Sequence, residues 1–439
     1  MSTVSVFGLG YVGCVSSACF AREGHTVIGV DVNPTKVALV NSGRSTIVEE
    51  GIAELVTNVV ASGRLRATTN VAEAVHATEI SLVCVGTPSA SNGALDLSYV
   101  ERVCFEIGQA LKDKPAFHTI VIRSTVLPGT VHGVATPALE RGSGKKAGVD
   151  FGVCSNPEFL REGTSIKDFF DPPFTLIGAD SAQAADAVKS LYAGLESPVH
   201  VVAVRVAEMV KYACNCYHGL KVGFANEIGN ICKALDVDSH EVMRIFCEDR
   251  KLNISAAYLK PGYAFGGSCL PKDLRAVTHK ARELDIETPI LRATLESNQR
   301  QIERAFSIIQ KTGARRIGML GMSFKPGTDD LRESPLVSLI ELMVGKGMEL
   351  AIYDRDVSEA QLIGANKEYI EGEIPHIWSL MRDSAAAVIE HGDVVVIGNA
   401  TGEIRAMGES RFAGKSVIDL ARLFSRKTPA MTAYDGICW

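Results

Sequence analysis

No stretch of this sequence stays apolar for the ~20 residues that a membrane-spanning helix needs. Its apolar runs, such as VVVIG, are only strand-length. The amino terminus, MSTVSVFGLGYVG, lacks a basic segment ahead of an apolar one, so no signal peptide is expected. Positive charge is not in excess either. Lys and Arg number 45 against 51 Asp and Glu, a formal net charge of -6. That balance argues against nucleic acid or an anionic membrane as the main partner, because both favour basic patches. It leaves room for a small anionic ligand in a local pocket. Low-complexity tracts and short-period repeats are missing too. The 11 cysteines are odd in number, scattered and never spaced C-x-x-C. Cys214 and Cys216 stand closest, and C-x-C without a second pair is a poor metal signal, so no metal is expected. These absences predict a soluble cytoplasmic protein that needs no disulfide staples.

What is present is length and alternation. The 439 residues are 46% hydrophobic, enough for about three domains at ~150 residues each. Over residues 1–202, TVSVFGLG, HTVIGVD, ISLVCVGTP, HTIVIRSTV and FGVCSNPEFL read as strands separated by helices, which predicts a parallel sheet with helices on both faces. Residues 203–302 read as helical. VAEMVKYACNCYHGLKVGFANEIGNICKAL holds no proline and keeps helical periodicity, and ETPILRATLESNQRQIERAFSIIQKTG forms another helix with Pro289 in its first turn. Residues 303–439 alternate again through RRIGMLGMSFK, MELAIYDRD, HGDVVVIGNA and KSVIDLA. The expected fold is α/β: two Rossmann-like, doubly wound domains joined by a central helical dimerisation region.

Gly8, Gly10 and Gly13 form G-x-G-x-x-G directly after a strand and at the opening of a helix. The first glycine permits a tight turn, the second lets backbone approach a pyrophosphate, and the third lets helix and strand pack closely. The helix amino terminus adds free N–H groups and a positive dipole end. Asp31 ends the next strand, where an acid accepts from ribose hydroxyls and repels a 2′-phosphate, so NAD is expected rather than NADP. Lys36 lies just beyond, within reach of the adenosine side.

On the long helix Glu208, Lys211, Asn215, His218 and Asn226 recur at offsets that put most of them on one face. Such a stripe fits a solvated face as well as a site. Cys269, in YAFGGSCLPKDLRA, sits among glycines and charges, and a helix starting near Pro271 would favour its thiolate. In NPEFLREG, Glu158 and Glu162 are four apart and share a face if the segment is helical. The stretch GMSFKPGTDDLRESP gathers Lys325, Asp329, Asp330 and Arg332 after the first strand of the last region, where a doubly wound sheet binds ligands.

In order along the chain, FGLGYVG, VCVGTP, RSTVLPGT, NPEFLREG, AEMVKYACN, FGGSCLPKD and SFKPGTDDLRESP resemble the motifs of the nucleotide-sugar 6-dehydrogenase family. The resemblance covers essentially the whole chain. SCLPKD, GANKEYIE and the terminal GICW look like the branch that oxidises GDP-mannose in alginate-producing bacteria. It implies a four-electron oxidation of a primary alcohol to a carboxylate with two NAD, through a thiohemiacetal and a thioester on Cys269. By the same resemblance Lys211 and Asn215 serve the oxyanion, and Glu158, Thr125 and Asp273 serve water activation and proton transfer. Glu162, His218, Asn226, Lys325, Tyr258 and Tyr263 would contact substrate together with Lys211 and Asn215. Tyr11, Val12, Asp31, Lys36, Thr87, Thr125, Cys269 and Arg332 would contact the cofactor. A homo-oligomer, at least a dimer, is implied, with Lys260 reaching the neighbouring subunit's substrate. Relatives commonly carry arginine at that position and a bulkier aromatic where this chain has Ala257, which puts the sugar in question. The alternatives are a UDP-glucose or UDP-N-acetylhexosamine 6-dehydrogenase, a two-electron hydroxyacid dehydrogenase, and an NAD-sensing scaffold without catalysis.

Overall fold

A computed structural model describes residues 1–88, 94–255, 258, 261–267, 270–324, 331–357, 370–372, 374–424 and 428–438. The chain divides into two compact units, Met1–Gly219 and Leu220–Trp439.

The first unit is built on an eight-stranded sheet of β1 (Thr3–Phe7), β2 (Thr26–Val30), β3 (Leu65–Thr68), β4 (Ile80–Val83), β5 (His118–Ile122), β6 (Phe151–Ser155), β7 (Thr175–Ala179) and β8 (Val199–Val202). Their order is β3-β2-β1-β4-β5-β6-β7-β8. The first six follow the doubly wound dinucleotide order, which reverses direction between β1 and β4. Burial on both faces explains why these strands read as near-continuous apolar runs. Val4, Val6, Ile80, Leu82 and Val121 join the core on one face, and Phe7, Ile28, Val30, Val83 and Ile122 that on the other. One feature departs from the expected parallel sheet: β7 runs antiparallel to β6 before β8 pairs parallel with β7. The link between them, residues 156–174, carries the helix Ser165–Phe170 and returns β7 antiparallel beside β6.

The second unit carries a five-stranded, all-parallel sheet of β9 (Arg316–Leu320), β10 (Glu349–Tyr353), β11 (Val394–Ile397), β12 (Ser416–Asp419) and β13 (Ala433–Gly436), ordered β10-β9-β11-β12-β13. The helices Val204–Ala234, Ser239–Glu248, Leu270–Glu283 and Pro289–Lys311 lie between β8 and β9 in the chain, and Pro289 occupies the first turn of the last, as expected. Among the described residues no helix is long and apolar enough to cross a membrane.

The two sheets repeat one turn. Gly8 follows β1 at φ +95° and Gly321 follows β9 at φ +94°. In each unit an aspartate at the end of the second strand accepts from the backbone just past that glycine: Leu9 N reaches Asp31 Oδ2 at 2.8 Å, and Met322 N reaches Asp354 Oδ2 at 2.8 Å.

Candidate active site

The first unit's glycine turn has the geometry of a dinucleotide cradle. A Cβ on Gly13 would stand 1.7 Å from the Gly8 carbonyl oxygen, so only glycine lets the helix Tyr11–Arg22 come this close to β1. Around Gly10 a Cβ would meet nothing within 4 Å, which leaves its backbone open to a bulky anion. Beside the turn lies a cavity of about 860 Å³ lined by Gly8, Gly10, Asp31, Lys36, Cys84 and Thr87 among others. Asp31 is buried and fixed there. Besides Leu9 N it accepts from Asn33 N at 2.9 Å, and Lys36 Nζ lies 3.4 Å away. Its oxygens keep lone pairs for ribose hydroxyls. Thr87 donates from its hydroxyl to the Thr125 carbonyl at 2.9 Å, which joins the loops after β4 and β5.

At the carboxyl ends of the central strands Lys211 Nζ meets Glu158 Oε1 at 3.2 Å, with the two side chains 8% and 11% exposed. The ammonium also stands 5.4 Å from the centre of the Phe159 ring. NPEFLREG is not helical. Pro157 opens it, Gly163 at φ +88° closes it, and Glu158 Oε2 accepts from Leu160 N at 2.6 Å, so the backbone turns instead of coiling. Glu158 and Glu162 therefore share no helix face: Glu158 is turned to Lys211 while Glu162 is exposed. Along the helix from Lys211, Asn215 and His218 follow at i+4 and i+7, and both they and Asn226 are exposed. Glu208, on the same stripe, does something else. It is buried and accepts from Gly129 N at 2.6 Å and Val131 N at 2.9 Å, satisfying a helix start.

Sequence reasoning passed over the groups that hold this region in place. Arg123, buried, donates to Ser16 Oγ at 3.1 Å, Asn156 Oδ1 at 2.7 Å and Tyr192 Oη at 2.9 Å, which fixes the strand ends bearing Thr125 and Glu158. Its place inside RSTVLPGT was the available signal. Glu49 receives the Tyr11 hydroxyl at 2.5 Å, and nothing but a pair of acids ahead of Gly51 marked it in the sequence.

In the second unit the helix Leu270–Glu283 begins at the residue after Cys269, as the sequence suggested. Cys269 itself, with Lys260, Ala257, Lys325, Asp329 and Asp330, lies outside the described residues. The approach to it is tightly held. Asn298 exchanges two hydrogen bonds of 2.8 Å with the backbone of Phe265, and a Cβ on Gly266 would stand 2.3 Å from the Glu333 carbonyl oxygen. Arg275 reaches Glu333 with both terminal nitrogens, at 2.5 and 3.2 Å. Tyr263 gives its hydroxyl to the Pro335 carbonyl at 2.9 Å, and burial pushes that phenol's pKa up. Tyr258 is exposed at φ +62°, Arg332 is half-buried, and Asp273 is exposed beside Lys272 at 3.3 Å.

The ten described cysteines are all free. Cys19, Cys104 and Cys154 have thiols pushed up to about 12 by burial, as packing residues should. Cys216, Cys247 and Cys438 are exposed. Among the described residues no His, Cys, Asp and Glu gather to hold a metal.

Three family models match the chain: the NAD binding domain of the UDP-glucose/GDP-mannose dehydrogenase family over residues 2–196, its central domain over 205–300, and its UDP binding domain over 318–426. A GDP-mannose 6-dehydrogenase of Pseudomonas syringae pv. syringae is 52% identical over 99% of this chain and 100% of its own. A UDP-glucose 6-dehydrogenase of Haloferax volcanii is 35% identical over 97% of each. The crystal structure of a ternary complex of GDP-mannose dehydrogenase from Pseudomonas aeruginosa superposes with a TM-score of 0.96 at 51% identity, covering 99% of this chain and 100% of that one.

Proposed function

The chain belongs to the UDP-glucose/GDP-mannose dehydrogenase family and is an NAD-dependent nucleotide-sugar dehydrogenase, and we propose that it oxidises GDP-mannose at C6 to GDP-mannuronate. The nearly buried Lys211–Glu158 pair in the unit that holds the glycine turn carries this reading, since it sets an acid–base pair beside a hydride acceptor's cradle. The base and sugar follow the relatives of 51–52% identity, against 35% for the UDP-glucose enzyme.

Asp31, Lys36, Thr87 and the Gly8–Gly13 turn would hold NAD, which when bound accepts a hydride from C6 in each of two oxidations. Lys211 stabilises the oxyanion that develops on the C6 oxygen, and Asn215, one turn along the helix, positions it. Once the alcohol has become an aldehyde, the Cys269 thiolate adds to its carbon and retains it as a thiohemiacetal. The second oxidation converts that adduct to a thioester. Glu158, with Thr125 and Asp273, directs water onto the thioester carbon, which releases the carboxylate and the free thiol. Glu162, His218, Asn226, Tyr258, Lys260 and Lys325 serve the sugar and diphosphate, and Arg332 the cofactor. Exposed Val206, Met209 and Leu220 on the long helix and Ile245 on the next support a dimer built there. Cytoplasmic synthesis of the mannuronate units of alginate is the role that fits this product.

The purified protein is expected to form two NADH per GDP-mannose consumed, and Cys269→Ser to bind NAD but make no uronate. One NADH per GDP-mannose, or uronate formation by the serine variant, would remove the covalent route. Faster turnover of UDP-glucose or UDP-N-acetylmannosamine would move the substrate to that branch.

A further inference from the structure

We propose that Glu49 is a positioning residue that couples dinucleotide binding to the substrate segment following β6. This rests on the nucleotide-sugar reading of Glu158 and Glu162. One oxygen of Glu49, Oε2, accepts from the Tyr11 hydroxyl at 2.5 Å and from Gly163 N at 2.8 Å; the other accepts from Ser165 N at 2.8 Å. Tyr11 is the first residue of the helix that leaves the glycine turn, and Gly163 directly follows Glu162. A single carboxylate thus bridges the cofactor turn and the end of the segment that carries both acids.

The loop bearing Glu49 is itself tied to the turn. Thr46 donates to the Leu9 carbonyl at 2.8 Å, and Ser45 Oγ lies 3.7 Å from Cys14 Sγ. The segment it grips has no strand or helix of its own between β6 and Ser165, so its shape depends on side-chain acceptors. Asp168 supplies further ones: it takes Arg161 N at 2.9 Å and the Arg161 guanidinium at 2.6 and 3.0 Å. Desolvation opposes ionisation of Glu49, but the Tyr11, Gly163 and Ser165 bonds outweigh it and bring its pKa down to about 2. The bridge is therefore charged, with three charge-assisted bonds, throughout the neutral range. A ligand that settles the turn and Tyr11 narrows the positions open to Gly163, and hence to Glu162 and Glu158, before the sugar arrives. By linkage the sugar nucleotide must tighten the dinucleotide equally.

The test is calorimetric titration of NADH and GDP-mannose, alone and each in the presence of the other, a pair that cannot turn over. Wild type is expected to show mutual tightening of roughly 5-fold or more. Glu49→Gln, and independently Tyr11→Phe, which removes the phenol–carboxylate bond, should bring that factor below about 2-fold. In Glu49→Gln the affinity for NADH alone should stay within about 3-fold, and the KM for GDP-mannose should rise more than kcat falls. A brace with no coupling role would lower the melting temperature and leave the factor unchanged, and that result overturns the proposal. If wild type does not bind GDP-mannose, the substrate reading fails, and the same titrations with UDP-glucose decide the coupling.

Discussion

Removing the ammonium of Lys211 separates its structural from its chemical work. Lys211 Nζ lies 3.2 Å from Glu158 Oε1, and the side chains are 8% and 11% exposed. At an effective dielectric of ~20 the attraction is about 5 kcal/mol, most of it offset by the desolvation of both ions. Lys211→Met keeps the apolar stem against Phe159 but strands the carboxylate, which should destabilise the protein by roughly 3–5 kcal/mol. Glu158→Gln in the same chain takes away the stranded charge and should restore about half of that loss. Activity should not follow. The loss of oxyanion stabilisation costs about 10²–10³ in kcat, and the double variant stays as slow as the single one or slower. Equilibrium urea unfolding and NADH formation from GDP-mannose measure the two readouts on the same samples. A double variant no more stable than Lys211→Met would refute the stranded-charge account. Turnover by Lys211→Met within 3-fold of wild type would refute the role in the reaction.

Two further outcomes follow from buried polar groups. Asp31→Ala leaves Leu9 N and Asn33 N without their acceptor and frees Lys36, so KM for NAD should rise about 10-fold or more while the preference for NAD over NADP shrinks; an unchanged ratio of kcat/KM values would exclude Asp31 as the discriminating acid. His118 is buried with its Nδ1 2.9 Å from Lys114 Nζ and its Nε2 2.7 Å from Ser81 Oγ, and burial and then the Lys114 charge bring its pKa down to about 3. The folded imidazole stays neutral while the unfolded one protonates below ~6.5, so this contribution is whole above that pH and declines as pH falls toward 3, by up to about 1.4 kcal/mol per pH unit. Unfolding curves between pH 7 and 5 should show a shallower decline in His118→Gln, and equal slopes would reject the buried neutral histidine.

The dinucleotide half was legible because its chemistry needs residues that are close in sequence. A glycine turn, the helix it opens and an acid at the end of the next strand are consecutive pieces of one βαβ unit, so their spacing carries the geometry. The long helix and the one opened by Pro289 were legible for a similar reason, since their periodicity persists far beyond the length of a strand. The strand β8 gave a weaker signal: it is half exposed, with a burial pattern unlike that of the central strands. NPEFLREG showed two acids at helical spacing, but a proline, a left-handed glycine and a carboxylate folded back on its own backbone decided against the helix.

By itself, then, the sequence determined the α/β class, the glycine turn with Asp31, the long helix with Lys211, and a Cys269 set just ahead of a helix start. It did so because each depends on neighbours a few residues away. Only the tertiary structure decided what each polar group is paired with. Glu208 and Lys211 look alike on the helix stripe, yet one satisfies the backbone of Gly129 and Val131 and the other meets Glu158 from 53 positions away. Glu49 finds Gly163 across 114 residues, and Arg123 finds Ser16 across 107. Partners that far apart are chosen by the order of strands in the sheet, and a carboxylate's spacing from its chain neighbours holds no trace of that choice.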